Sequence, residues 1–94
     1  MVAIGSSGMP STSQEALKMV YGYGVGLDMT RRDRQRDARA AMLPWEIGKS
    51  FDESAPCGNL LPAKLCGHLT TGKISLSVNG AEKQSGDLNQ MIWN

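Results

Sequence analysis

The sequence predicts an α+β fold in which strands predominate, and three stretches carry that reading. Residues 20–28, "VYGYGVGLD", alternate with a period of two, which is a strand rather than a helix. Ile74, Leu76 and Val78 alternate with Ser75, Ser77 and Asn79 and run into Asn79-Gly80, the preferred two-residue hairpin turn. Only one long segment, residues 31–41, reads as a helix, and it carries no apolar residue before Ala38.

The elements follow in chain order. Residues 1–5 form a short apolar strand, and "SSGMPSTSQ" is a Ser/Gly/Pro loop. A short helix is expected over 13–19 with Ser13 as its N-cap. In the strand at 20–28, Val20, Gly22, Gly24 and Gly26 share one face, and Tyr21, Tyr23, Val25 and Leu27 share the other. Glycine inside a strand marks close approach of another backbone or of a ligand. Thr30 with Asp33 resembles a capping box and starts the polar helix at 31–41, which Leu43-Pro44 ends. "WEIGKSF" reads as a helical turn or a loop, and "FDESAPCGNLLPAK" as irregular. The hairpin covers 73–86.

Composition excludes several classes of function. Ninety-four residues make one domain at most, or a piece of one, and the core can only be modest. A net charge of +1 gives no general pull toward nucleic acid or an anionic membrane. Cys57 and Cys66, spaced C-x8-C, fit neither a zinc framework nor a disulfide scaffold and read as two reduced thiols in a cytoplasmic protein. No apolar run is long enough to span a membrane, and "MVAIGSSGMPSTSQ" lacks the pattern of a secretory signal. Apolar residues at both ends, "MVAIG" and "DLNQMIWN", lead to the expectation that the chain is a segment of a larger domain.

Four features bear on chemistry. The glycines form G-x-G-x-G inside a strand, whereas a dinucleotide loop needs G-x-G-x-x-G after one. Arg31, Arg32, Arg34, Arg36 and Arg39 stand against Asp33 and Asp37, either as a solvated face or as an arm for phosphates. Helical spacing puts Arg32, Gln35 or Arg36, and Arg39 on one stripe that could look into a polar cleft. Asp28, alone at the strand's end, either starts the turn or binds a hard cation. Lys49, between Trp45 and Phe51, either snorkels or is held in a cleft as an electrophilic cation. His68 is expected to be exposed, and no G-x-S-x-G nucleophile is present.

In order, "YGYGVGLDMTRRDRQ", "LPWEIGKSFDESAP", "VNGAEKQSGD" and "MIWN" resemble the fumarylacetoacetate hydrolase family, especially its small bacterial acylpyruvate and fumarylpyruvate hydrolases. The resemblance implies a β-rich roll with few helices, a homodimer, and one Mg²⁺ or Mn²⁺ ion held by three carboxylates. It also implies a small oxo-acid substrate, a 2,4-dioxo acid cleaved hydrolytically at a C–C bond, with no nucleic-acid or membrane partner. Residue by residue, it makes Asp28 a metal ligand, Lys49 a charge-stabilising catalytic residue, and Arg32 and Gln35 substrate contacts. Two further ligands in an E-x-E pattern, a lid with a water-activating acid and histidine, and a C-terminal substrate loop are not in this chain. The resemblance therefore implies a central part of the domain over residues 1–94, inactive by itself. At Met42 many members carry a glycine or a polar residue. Two alternatives stay open: decarboxylation or tautomerisation of an oxo acid within the same family, and a non-enzymatic module that binds an anionic partner through Arg31–Arg39.

Overall fold

The structure is a computed structural model describing residues 1–92. It is mixed α and β with more strand than helix, as the sequence predicts. Strand β1 (Val2–Ile4) is followed by helix α1 (Ser13–Lys18), strand β2 (Val20–Tyr23) and helix α2 (Arg32–Ala40). After a 3₁₀ turn at Glu46–Gly48 come strand β3 (Leu61–Pro62), helix α3 (Ala63–Cys66), strands β4 (Lys73–Val78) and β5 (Ala81–Asp87), and a 3₁₀ turn at Leu88–Gln90. The first three strands form an antiparallel sheet in the order β1-β2-β3, and β4 and β5 form a separate hairpin.

The expected strand over 20–28 is regular only through Tyr23. Beyond it the extended chain keeps an interrupted antiparallel ladder against residues 54–58. Gly26 bridges Cys57, Leu27 N–H donates to Pro56 O, and Met29 N–H donates to Ser54 O. At the interruption, Gly24 N–H turns to Met1 O instead. The bare glycine face is filled by backbone at Gly22 and partly by the Met1, Leu60 and Cys57 side chains at Gly24 and Gly26. A Cβ built on Gly22 would lie 2.3 Å from Leu61 O and 2.9 Å from Leu61 C, so no side chain fits between β2 and β3. Strand β3 and the first half of helix α3 lie in the stretch read as irregular. Pro62 is tolerated because β3 is an edge strand, and its φ of −60° leads directly into α3.

Both helix caps differ from expectation. Helix α1 is capped by Thr12, one residue before Ser13. Its Oγ1 accepts from Glu15 N–H at 3.2 Å, and the Glu15 carboxylate accepts from Ser11 N–H at 2.8 Å. The Thr30–Asp33 box does not form: α2 starts from Arg31 with no side-chain cap, because the Thr30 hydroxyl is engaged elsewhere. Arg31 N–H donates instead to Gly48 O, and the Arg31 guanidinium lies over Phe51 at 4.8 Å. Gly48 is buried against the first turn of α2, where a Cβ would meet Gln35 N at 3.1 Å.

Helix α2 ends at Ala40, before Leu43-Pro44. Met42 adopts φ 55°, Met42 N–H donates to Arg39 O, and Leu43 N–H donates to Ala38 O. That is a Schellman closure with methionine at the left-handed position, where glycine carries no Cβ penalty. Ala38 is the one buried apolar residue among those described. The radius of gyration is 16.4 Å, against about 12 Å for a compact chain of this length, so the fold is an open shell.

The hairpin matches its prediction closely. Asn79 and Gly80 take φ 52° and 79°, as the turn requires. Ser77 pairs with Glu82 and Leu76 with Gln84, so Lys83 is an extra residue, a β-bulge. The hairpin's base is closed by Asp87, whose Oδ1 accepts from Asn89 N–H at 3.0 Å and Gly72 N–H at 3.2 Å. Gln90 Oε1 accepts from Asp87 N–H, completing a capping box.

Met42 is almost wholly exposed, so Met42→Gly loses little burial and relieves the left-handed strain; the chain gains about 1 kcal/mol in urea unfolding. The amides of Asn89 and then Gly72 hold the Asp87 carboxyl below its ordinary range. A depressed folded-state value contributes stability above the unfolded carboxylate's pKa and loses it as pH falls through the folded one. The Gly72 and Asn89 amide resonances are expected to titrate together at a pH below the ordinary Asp range, and Asp87→Asn abolishes that titration.

Candidate functional site

The ladder between residues 25–29 and 54–58 carries the chain to Asp28, and the Glu46–Gly48 turn carries it to Lys49. The two side chains meet there. Lys49 Nζ donates to Asp28 Oδ2 at 2.6 Å and to Thr30 Oγ1 at 2.9 Å. The Thr30 hydroxyl in turn donates to Asp28 O at 3.2 Å. Thr30 is therefore the second acceptor for the ammonium, not a helix cap. An ammonium has three N–H donors, so one remains for a ligand. Lys49 does not snorkel: its head is held, with the side chain 31% exposed, while Asp28 is 77% exposed. An ion pair this open contributes roughly 0–1 kcal/mol, so stability does not explain it.

Asp28, Thr30, Arg32 and Lys49 line one wall of a cleft of about 550 Å³, a volume in the range of small-molecule sites. The opposite wall is the β4–β5 hairpin, through Ile74, Leu76, Gln84 and their neighbours. Arg32 Nη1 donates to Gln35 Oε1 at 2.7 Å. Gln35 thus bears on the cleft through Arg32 and does not line it, and neither do Arg36 and Arg39 from the expected stripe. Asp28, Lys49 and Arg32 line one cleft, and Gln35 stands one contact behind Arg32.

Sequence reasoning missed Thr30 as a partner of Lys49, although the D-x-T spacing after a strand was visible. It also missed the hairpin as the second wall, because nothing in the alternation of β4 says what its apolar face meets. His68 is exposed, as expected, and shares a hydrogen bond of 2.6 Å with the Tyr23 hydroxyl away from this cleft. Both cysteines are free thiols.

Among the cleft's lining residues Asp28 is the one carboxylate, and among the described residues no three His, Cys, Asp or Glu side chains converge. Its Oδ1 has no partner among the described hydrogen bonds. A single exposed carboxylate oxygen fits a hard divalent cation as one ligand of several and does not make a metal centre by itself.

Across residues 1–94 the chain matches the profile of the fumarylacetoacetate (FAA) hydrolase C-terminal family. The chain belongs to this family. A fumarylpyruvate hydrolase from Ralstonia sp. is 40% identical over 94 residues, all of this chain and 48% of that protein. An oxaloacetate tautomerase from Escherichia coli is 40% identical over 92 residues, 42% of its length. The fumarylpyruvate hydrolase of Pseudomonas aeruginosa, crystallised with Mn²⁺ and pyruvate, superposes with a TM-score of 0.89 at 50% identity, covering 98% of this chain and 40% of that one. The chain thus spans less than half the length of these relatives. Among the described residues, no helix is long and apolar enough to cross a membrane.

The two roles available to Thr30 are separable. Thr30→Val removes an acceptor of Lys49 but no cap, so helix content by circular dichroism stays unchanged and stability falls by less than about 0.5 kcal/mol. Loss of a true N-cap would cost about 1 kcal/mol and fray α2.

Proposed function

We propose that this chain forms one wall of the active site of a divalent-metal-dependent C–C hydrolase that splits a 2,4-dioxo acid of the acylpyruvate or fumarylpyruvate type into two acids. The observation that carries the reading is the convergence of Asp28, Lys49 and Arg32 on one cleft in a chain of this family. In it Asp28 is one ligand of an Mg²⁺ or Mn²⁺ ion, and the other ligands come from outside this chain. When bound, that ion supplies Lewis-acid polarisation of the substrate's oxo groups.

The chain's own residues do the rest of the work on this wall. Lys49 aims its remaining N–H at the oxygen that gains charge as the C–C bond breaks, with Thr30 and Asp28 holding the ammonium in place. Arg32 pairs with the substrate carboxylate, and Gln35 fixes the guanidinium's orientation. The substrate is a small oxo acid, and the whole protein is a homodimer. A second reading, tautomerisation or decarboxylation of an oxo acid, draws on the similarity to the Escherichia coli tautomerase. It needs no water-activating acid and histidine, whereas hydrolysis does.

The purified 94-residue chain is expected to show no Mg²⁺- or Mn²⁺-dependent cleavage of an acylpyruvate. Placed in a chimera with the remainder of the Ralstonia relative, it restores turnover, which Lys49→Ala lowers about a hundredfold or more in kcat. Asp28→Ala abolishes the metal dependence. Unchanged turnover in either variant rejects the assignment, and cleavage by the isolated chain rejects its incompleteness.

A further inference from the structure

We infer that the β4–β5 hairpin is a flap over the cleft, hinged at residues 67–72 and held by a latch between Tyr23 and His68. The inference concerns the width of the cleft and is independent of the ligand proposed above. Two bodies face each other across the cleft. One is the β1-β2-β3 sheet with the chain that runs from it through Asp28, α2 and Lys49; the other is the hairpin. Neither β4 nor β5 pairs with the sheet. Among the described hydrogen bonds and ion pairs, those made by residues 72–91 all end within the same stretch.

The join between the bodies has the form of a hinge. Helix α3 continues directly from β3, and Gly67 closes it by donating to Ala63 O at 2.7 Å. Gly72 belongs to the hairpin: its N–H donates to Asp87 Oδ1 at 3.2 Å, and its carbonyl accepts from Leu88 N–H at 3.0 Å. Between them His68, Leu69, Thr70 and Thr71 are exposed and take no part in the described backbone hydrogen bonds. Gly67 and Gly72 have φ of 72° and 143°, a region that other residues rarely enter. A Cβ on Gly67 would meet nothing within 4 Å, so conformation and not packing calls for glycine there. A short connector that is free along its length and can turn at both ends lets a packed unit swing as a body.

One contact spans the hinge. The Tyr23 hydroxyl and His68 Nδ1 share a hydrogen bond of 2.6 Å, and the two rings meet edge to face with centroids 6.0 Å apart. Tyr23 sits on the central strand, paired with Val2 on one side and Leu61 on the other. His68 is the first residue after Gly67, so holding its ring sets the direction in which the connector leaves the sheet. The bond is open to water, and one such bond biases a two-state equilibrium by about tenfold or less. That favours one hairpin position without forbidding another.

Residual dipolar couplings of the ¹⁵N-labelled 94-residue chain test the latch, with hydrogen exchange reporting on the fold. In the parent, the amides of the sheet and of the hairpin are expected to fit one alignment tensor. Tyr23→Phe keeps the ring and the strand pairing and removes the hydroxyl. The hairpin couplings then shrink and require a tensor of their own, while exchange protection within β2 and within β4–β5 is unchanged. His68→Ala gives the same result, and combining the two substitutions adds nothing further. A single tensor in Tyr23→Phe means that other contacts fix the hairpin, and it overturns the latch. Separate tensors already in the parent also overturn the latch. A hairpin without exchange protection, in the parent or in the variants, does not move as a body and overturns the flap. No ligand enters these measurements, so their failure leaves the assignment of Asp28 and Lys49 standing.

Discussion

The site depends on one steric constraint, the approach of residues 20–29 to the returning chain at 54–62. At Gly22 the partner backbone is so near that a methyl group would overlap the Leu61 carbonyl. Glycine there costs conformational entropy on folding. What it permits is direct contact of β2 at Gly22 with the Leu61–Pro62 backbone. The ladder then resumes at Gly26 and fixes the direction in which the chain leaves it. Asp28 comes two residues later, and Met29 N–H, bound to Ser54 O, holds the exit. A bulkier strand would displace the return segment and with it the position from which the carboxylate is presented.

The second anchor is the packing of α2 on the Glu46–Gly48 turn. Arg31 N–H bonds to Gly48 O, and the helix backbone lies against a glycine that has no room for a Cβ. Lys49 follows directly, so the helix start and the lysine are positioned by the same contact. This explains how α2 is stable with so few apolar residues: it docks by backbone and by Ala38, not by a broad hydrophobic stripe. Its charged positions are left free, and Arg32 uses that freedom to line the cleft.

Much of this was legible in sequence because local chemistry settles it. Asn79-Gly80 dictates the hairpin turn, and the alternating glycines signal a close approach. The resemblance singled out Asp28, Lys49 and Arg32, three residues that line one cleft. The misreadings arose where a tertiary partner outbid a local one. Thr30 had a ready local use as a cap, yet an ammonium at 2.9 Å binds its hydroxyl more strongly than a backbone amide would. Leu61 and Pro62 looked irregular because edge pairing to glycine leaves no hydrophobic pattern. The bulge at Lys83 was invisible, since only the register of the partner strand reveals it.

The exposed apolar surface fits the same physical picture. Ile74 is 56% and Tyr21 53% exposed, on a chain whose sheet and hairpin share no continuous core. Such surface contributes nothing to stability until something covers it. The relatives are more than twice as long as this chain. A cleft bounded by a sheet end and a loosely joined hairpin is then a natural consequence of the architecture. Its two walls belong to separate elements, and the chemistry divides accordingly: charge on the wall of Asp28, Arg32 and Lys49, and uncharged side chains on the hairpin.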